Sequence, residues 1–442
     1  MPRSHHPTTA ALRALILLGA AWLCPVRGAA QDKAEPTPGD TVTISPFANT
    51  TAGEFTPSRG FQIFTAERGS LNISFYGLFR YLNQMPGEDT YTDHLGRERS
   101  VRARKDLNWH RTMVWFNGHF WTPRLRYNIT AWSLGSTQQT LLFGNLQYNV
   151  GRALTVGVGM APNLTVRSMQ GSFPFWGGSD RQMSEEFMRA GFSSGAFITG
   201  QLVNRLWYTA SVNTNLSQLG VTAKNDPRML AFSASVQWMP TTGEFGPRGG
   251  FGDLEHHEQV ATRFGASAAH AGEGRAAPDS LPNNETQLRL SDGVYVFETG
   301  ALADGITVRD LTYDVVAVDA GLKYKGLSLQ GEYYFRRLSD FNASGPLPLS
   351  SIVDHGFQAQ AMYMVIPGLV GLYGTTGMVF DEFDRDPWEV SGGVSFWPVG
   401  NRSWRLNMHV IRIEKSPTGS DFGYYTAGQS GTTFSLGTDI IF

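Results

Sequence analysis

Cysteine is almost missing from this chain: among 442 residues only Cys24 carries a thiol, and it sits in the N-terminal leader. The residues after it can form no disulfide, offer no thiolate nucleophile and hold no thiolate-bound metal. Lysine is scarce as well, confined to Lys33, Lys105, Lys224, Lys323, Lys325 and Lys415. With charged residues at 17% and a net charge of -2, nothing in the balance points to nucleic acid. Downstream of the leader no stretch of eighteen apolar residues occurs, so no membrane helix is expected.

The leader itself has a clear grammar. Arg3 and Arg13 precede an apolar run from Ala14 to Cys24, and Gly28-Ala29-Ala30 supplies small residues for cleavage. This predicts a secretory signal peptide over 1–30 and an exported protein. Residues 31–59 are rich in Pro, Thr, Ala and Gly and read as a flexible N-terminal segment.

What the chain does have is aromatics, at 12%, and 50 glycines. From Gly60 onward, segments of about ten residues alternate apolar and polar side chains, the length and period of a tilted membrane strand. SLNISFYGLFRYL sets Leu71, Ile73, Phe75, Phe79 and Tyr81 against Asn72, Ser74, Tyr76 and Arg80. The same pattern recurs through to TTFSLGTDIIF, for about sixteen strands. Short links at 122–124, 151–152, 204–205, 325–326 and 367–368 alternate with long polar ones near 83–110, 161–194, 215–228, 270–311, 338–354 and 414–431. One short loop (134–140) and one long turn (240–257) break the rhythm.

A spanning sheet in lipid cannot leave an open edge, because unpaired backbone groups there cost several kcal/mol each. The reading is therefore all-β: a transmembrane antiparallel β-barrel over 60–442, with its last strand zipped to its first and Phe442 in an aromatic girdle. Location in a bacterial outer membrane follows. So do lipid as a partner and recognition of the C-terminal aromatic strand by the barrel assembly machinery.

The chain resembles the phosphate-selective porin O and P family. GFQIFTAERGSLNISFYGLFRY is similar to the opening hairpin of that family, and ALTVGVGMAPNLTV followed by EEFMRAG to its entry into the third loop. VDAGLKYKGLSLQGEYYFRR is similar to the central hairpin, and WEVSGGVSFWPVGNRSWRLNMHV to the penultimate one. The resemblance implies a sixteen-stranded, often trimeric channel with the third loop folded inward. It also implies basic residues along a path for small hydrophilic solutes, anions such as phosphate among them. No cofactor, metal or enzymatic activity is implied. The chain departs from the family in its few lysines, and in Met160 and Ala161 where a charged or polar residue often enters the third loop.

Channel selectivity is set by pore width and lining charge. Arg80, Arg126, Arg263, Arg336 and Arg405 have the polar parity of their strands, with Tyr76 beside Arg80. An arginine facing lipid at mid-depth would cost ~2–4 kcal/mol, so these are expected to face the lumen. There they either line an anion path or pair with inward carboxylates such as Glu332 and Asp319. Arg412, with the parity of Trp404 and Leu406, is expected at an interface. In the long connection 161–194, Phe173, Phe175 and Trp176 are expected to pin the loop to the wall. Asp180, Arg181, Glu185, Glu186 and Arg189 would then form the constriction.

GDLEHHEQ (252–259) is the only cluster suggestive of metal, but neighbours on an extended chain point opposite ways. A solvated polar turn is expected there, after a glycine-rich GPRGGFG tract that lacks the ending of a phosphate loop. A barrel-borne rim enzyme would need His94, His110, His270 or His355 beside Asp and Ser. A lipid transporter would need a larger N-terminal plug.

Overall fold

The computed structural model describes residues 56–135, 139–216, 231–275, 288–419 and 423–442. The leader expected over 1–30, and the segment expected over 31–59 up to residue 55, lie outside the described residues. Among the described residues nineteen strands follow in order. β1 (Phe61–Ala66), β2 (Gly69–Pro86), β3 (Thr90–Thr92), β4 (Glu98–Ser100), β5 (Lys105–Phe120), β6 (Thr122–Leu134) and β7 (Gln139–Gly151) come first. Next are β8 (Leu154–Pro162), β9 (Phe192–Val203), β10 (Leu206–Asn213), β11 (Ala231–Trp238), β12 (Ala261–Gly274) and β13 (Val308–Tyr324). The last are β14 (Leu327–Ala343), β15 (Ser351–Ile366), β16 (Val370–Phe380), β17 (Trp388–Phe396), β18 (Trp404–Glu414) and β19 (Gly431–Ile441).

β2 and β5 through β19 form a closed antiparallel barrel of sixteen strands, each paired with its sequence neighbours. Closure is made by β19 on β2, from Gly431 opposite Pro86 to Ile441 opposite Tyr76. Phe442 continues the ladder: its N–H donates to the Phe75 carbonyl at 3.0 Å and its carbonyl accepts from the Phe75 N–H at 3.0 Å. The Phe442 ring stacks on Phe75 at 5.4 Å and meets Phe61 at 5.1 Å. The terminal strand is thus held at both edges, as a sheet in lipid requires.

Alternation decides which way each side chain points. On β19, Leu436 and Ile440 are exposed on the outer wall, whereas Thr433, Ser435 and Asp439 are buried inside. Phe232, Val236, Phe264, Val316, Leu372, Val390 and Met408 extend the outward apolar band, and Trp121, Trp238 and Trp404 belong to it. Arg412 is also outward and exposed, 3.3 Å from Glu414. The Lys325-Gly326 link has both residues at positive φ (46° and 86°), the two-residue hairpin geometry that matches strand twist.

Two features exceed the pattern read from sequence. β2, β13 and β14 reach 18, 17 and 17 residues, because pairing continues past the bilayer into the long-loop end. There β3 and β4 form a separate hairpin, with Asp93 accepting from Arg97 and Arg99 at 2.9 and 3.0 Å. The second feature is the turn between β11 and β12, which does not stay outside the barrel.

Candidate solute path

The connection after β8, the fifth barrel strand, turns into the lumen. Every residue from Ala161 to Ser193 is buried. Phe173 packs edge-on to Tyr76 at 5.0 Å and to Trp176 at 5.4 Å. These rings join one apolar cluster with Met113 and Trp115 of β5, Trp132 of β6, Ala317 of β13 and Val379 of β16. A short α-helix, α1 (Met183–Met188), lies in this loop. Glu185 and Glu186 fall in its first turn, where the helix dipole favours negative charge. Its first N–H, on Met183, donates to Glu389 of β17 at 2.9 Å.

The loop's charged side chains reach the wall or one another. Asp180 lies 3.1 Å from Arg111 and 3.7 Å from Arg80, so one carboxylate serves two guanidinium groups. Arg181 lies over the Trp176 ring at 4.8 Å and donates to Ser168 at 2.7 Å. Glu185 accepts from the Ser168 N–H at 3.2 Å and from Gln358 at 3.3 Å. Glu186 and Arg189 pair within the loop at 2.7 Å. Buried charges need such partners, since an unpaired one would have to stay desolvated without compensation.

The wall arginines are paired as well. Arg263 meets Asp319 and donates to Gln170 at 3.0 Å. Arg336 pairs with Asp354 at 2.6 Å and lies over the Phe187 ring at 4.0 Å. Arg405 donates to Asp439 at 2.9 Å and to the Trp176 carbonyl at 2.6 Å. Glu332 accepts from the Arg167 N–H at 2.7 Å and from Tyr334 at 2.8 Å, not from Arg336. Of the five arginines singled out by parity, Arg80, Arg263 and Arg405 touch the inward loop or its direct partners, and Arg336 touches α1. Arg126 stands apart at the short-turn end, donating to the Pro123 carbonyl at 3.2 Å. Sequence parity missed Arg111, which follows a register shift in β5 opposite Leu78 and Phe79.

The segment 239–260 corrects in part the expectation of a solvated turn: Glu255, Glu258 and Gln259 are exposed, whereas residues 248–254 are buried. Phe245, Arg248, Phe251, Asp253 and Leu254 are buried. Phe245 packs with Met239 and Ala261 on the β11–β12 side, while Phe251 and Leu254 pack with Met362, Met364, Tyr373 and Trp397 on the β15–β17 side. Wall cations hold its carbonyls: Lys323 donates to Phe245 at 2.9 Å, and Arg402 to Phe251 at 3.0 Å and Gly252 at 3.2 Å. Each such charge-assisted bond is worth roughly 1.5–3 kcal/mol. Gly252 is required where it stands, for its φ is +75° and a Cβ would fall 2.4 Å from the Met362 sulfur.

The root of this segment is fixed by side chains. His257 lies between Asp253 and Glu244, the latter at 2.7 Å, and these bonds push its imidazole up to about 9. Burial would raise the Glu255 carboxyl, but Arg402 at 2.7 Å holds it down at about 2. The Glu255/His257 cluster is therefore an ion-pair root. Among the described residues no group of three or more His, Asp or Glu side chains is placed to hold a metal ion.

Loop and turn meet at mid-lumen. The Phe251 N–H donates to the Phe175 carbonyl at 2.6 Å and Arg248 to the Phe173 carbonyl at 2.8 Å; Arg167 also donates to the Gly249 carbonyl. Beside this seam lies a slot of about 20 Å³ lined by Arg167, Ser168, Ser172, Glu185, three glutamines (Gln330, Gln358, Gln360) and aromatic rings. That is room for about one water. Of the histidines considered for a rim site, His94, His270 and His355 each pair with a single neighbour in space. His94 meets Asp292 at 2.6 Å and its other ring nitrogen has no partner. His270 pairs with Asp314 at 2.7 Å on the outer face, and His355 with Tyr333 at 2.7 Å. His409, inside the barrel, meets Ser391 at 2.8 Å with its Nδ1 unpartnered.

No family model matches this sequence, and no curated protein does. Among solved structures the chain is similar to the outer membrane channel DcaP of Acinetobacter baumannii, at 11% identity over 87% of this chain and 99% of that one, with a TM-score of 0.50. It is also similar to OmpT of Vibrio cholerae, at 11% identity, 86% and 100% coverage and a TM-score of 0.49. A third is the anion-selective porin of Comamonas acidovorans, at 11% identity, 84% and 100% coverage and a TM-score of 0.48. At such identities the likeness is one of fold. The chain is a closed, porin-like, outer-membrane-type β-barrel.

Proposed function

We propose that this protein is an outer-membrane porin, a passive diffusion channel for small hydrophilic solutes, with anions such as phosphate as the favoured class and no bond-making chemistry. The observation that carries the reading is the inward loop: thirty-odd buried residues crossing the lumen of a closed barrel, where a diffusion path has to be narrowed if it is to select. The anion preference rests on the sharing of Asp180 by Arg80 and Arg111, which leaves an excess of positive charge beside the loop. Guanidinium groups suit oxyanions because their donors match two oxygens at once.

The resemblance to the phosphate-selective porins supports the same reading and extends the proposal to a homotrimer. Planar-bilayer recordings of the refolded chain from Gln31 test it. A reversal potential of anion sign under a salt gradient, with chloride current reduced by added phosphate, is the expected result. Cation selectivity would overturn the anion assignment, and a folded barrel that never conducts would overturn the channel.

A further inference from the structure

We propose that segment 239–260 is a second constriction element, a peg that enters from the short-turn end and sets the width of the solute route together with the inward loop. This rests on the channel reading and adds to it where the route is narrowest. Three observations carry it. The first is economy: a link between antiparallel strands needs two residues, as at 325–326, yet this one runs from Met239 to Val260. The second is direction, since its middle is buried and bridges the β11–β12 wall to the β15–β17 wall. The third is the joint with the loop. Arg248, at φ 55°, places its guanidinium between the Trp115 and Phe175 rings, at 5.9 and 5.7 Å, while donating to the Phe173 carbonyl.

A turn that merely joined strands would make none of these contacts. Two backbones hydrogen-bonded to each other across a lumen leave solute only the space beside them. One such space is the slot between Arg167, Glu185 and the glutamines of β14 and β15. Selection is thereby assigned to a seam built from both ends, with Arg248 as the residue that positions the peg against the loop.

The test compares single-channel conductance of the refolded wild-type chain with a variant in which residues 246–252 are replaced by Gly-Ser-Gly. Barrel folding is verified by heat-modifiable electrophoretic mobility. The shortened variant should conduct at least about two-fold more, with weaker ion selectivity. Conductance unchanged in a folded variant overturns the peg alone; silence of both chains overturns the channel reading and the peg with it. Should the shortened chain not fold, R248A replaces it as the test. That variant should raise conductance or open-state noise, and behaviour identical to wild type would overturn the proposal.

Discussion

The two segments inside the barrel are held by different mixtures of contacts, although wall side chains such as Arg405 also bond loop carbonyls. Loop 163–191 reaches out with its own side chains: Asp180 to Arg80 and Arg111, Glu185 to Gln358, and Phe173 to Tyr76. Segment 239–260 mainly offers main-chain carbonyls, and cations of the wall and loop come to it from Lys323, Arg402 and Arg167. The difference teaches where each is vulnerable. The loop should fail when its own residues change, whereas the peg should fail when the wall residues that grip it, or its glycines, change.

The largest expected effect is on the peg, from a substitution outside it. Arg402→Ala removes both carbonyl bonds and leaves the exposed Glu255 without its partner, a loss of roughly 3–5 kcal/mol that comes mainly from the two charge-assisted bonds. Urea unfolding in detergent would measure it, and an unchanged midpoint would contradict the assigned grip. In the loop, Asp180→Asn keeps the shape but removes the charge that two arginines share, for about 2–3 kcal/mol. It should also move the reversal potential further toward anions; movement toward cations would break the comparison.

Gly252→Ala is expected to be milder, about 1–2 kcal/mol for an L-residue at positive φ, with Met362 yielding to the new methyl. Equal cost at Gly374, where a Cβ meets nothing nearer than 3.6 Å, would show that the peg's backbone is not specially constrained. The smallest effect is a pH dependence at the peg's root. His257 is raised from 6.5 to about 9, so its contribution is complete below pH 6.5 and is lost as pH rises through 9. Glu255 is lowered from 4.5 to about 2, so its contribution is complete above pH 4.5 and is lost as pH falls toward 2. Proteolytic nicking of the segment should be slowest between pH 4.5 and 6.5 and rise above pH 9. A flat profile would place the grip in the carbonyl bonds alone.

The barrel is legible in the sequence because period-two alternation is forced by lipid on one side and a polar lumen on the other. Strand count, closure through Phe442 and the burial of Arg80, Arg263, Arg336 and Arg405 all follow from that parity. The peg is not legible, since GPRGGFGDLEHHEQ has no period to read. Its two phenylalanines (Phe245 and Phe251) and four positive-φ glycines (Gly243, Gly246, Gly249, Gly252) are the only trace of a folded path. Arg111 escapes because the residues that share its inward face in β5, Met113 and Trp115, are apolar, so that face does not read as a lumen lining. The pairing of each wall arginine needs the three-dimensional register, which brings Arg336 to Asp354 on the neighbouring strand instead of to Glu332 on its own.

The most direct measurement is solute-dependent swelling of liposomes that contain the refolded chain, using neutral sugars from pentose to trisaccharide. A lumen narrowed by loop and peg predicts slow swelling that falls steeply with sugar size, and faster, flatter swelling once residues 246–252 are shortened. Fast swelling indifferent to sugar size in the wild-type chain would contradict a constricted channel.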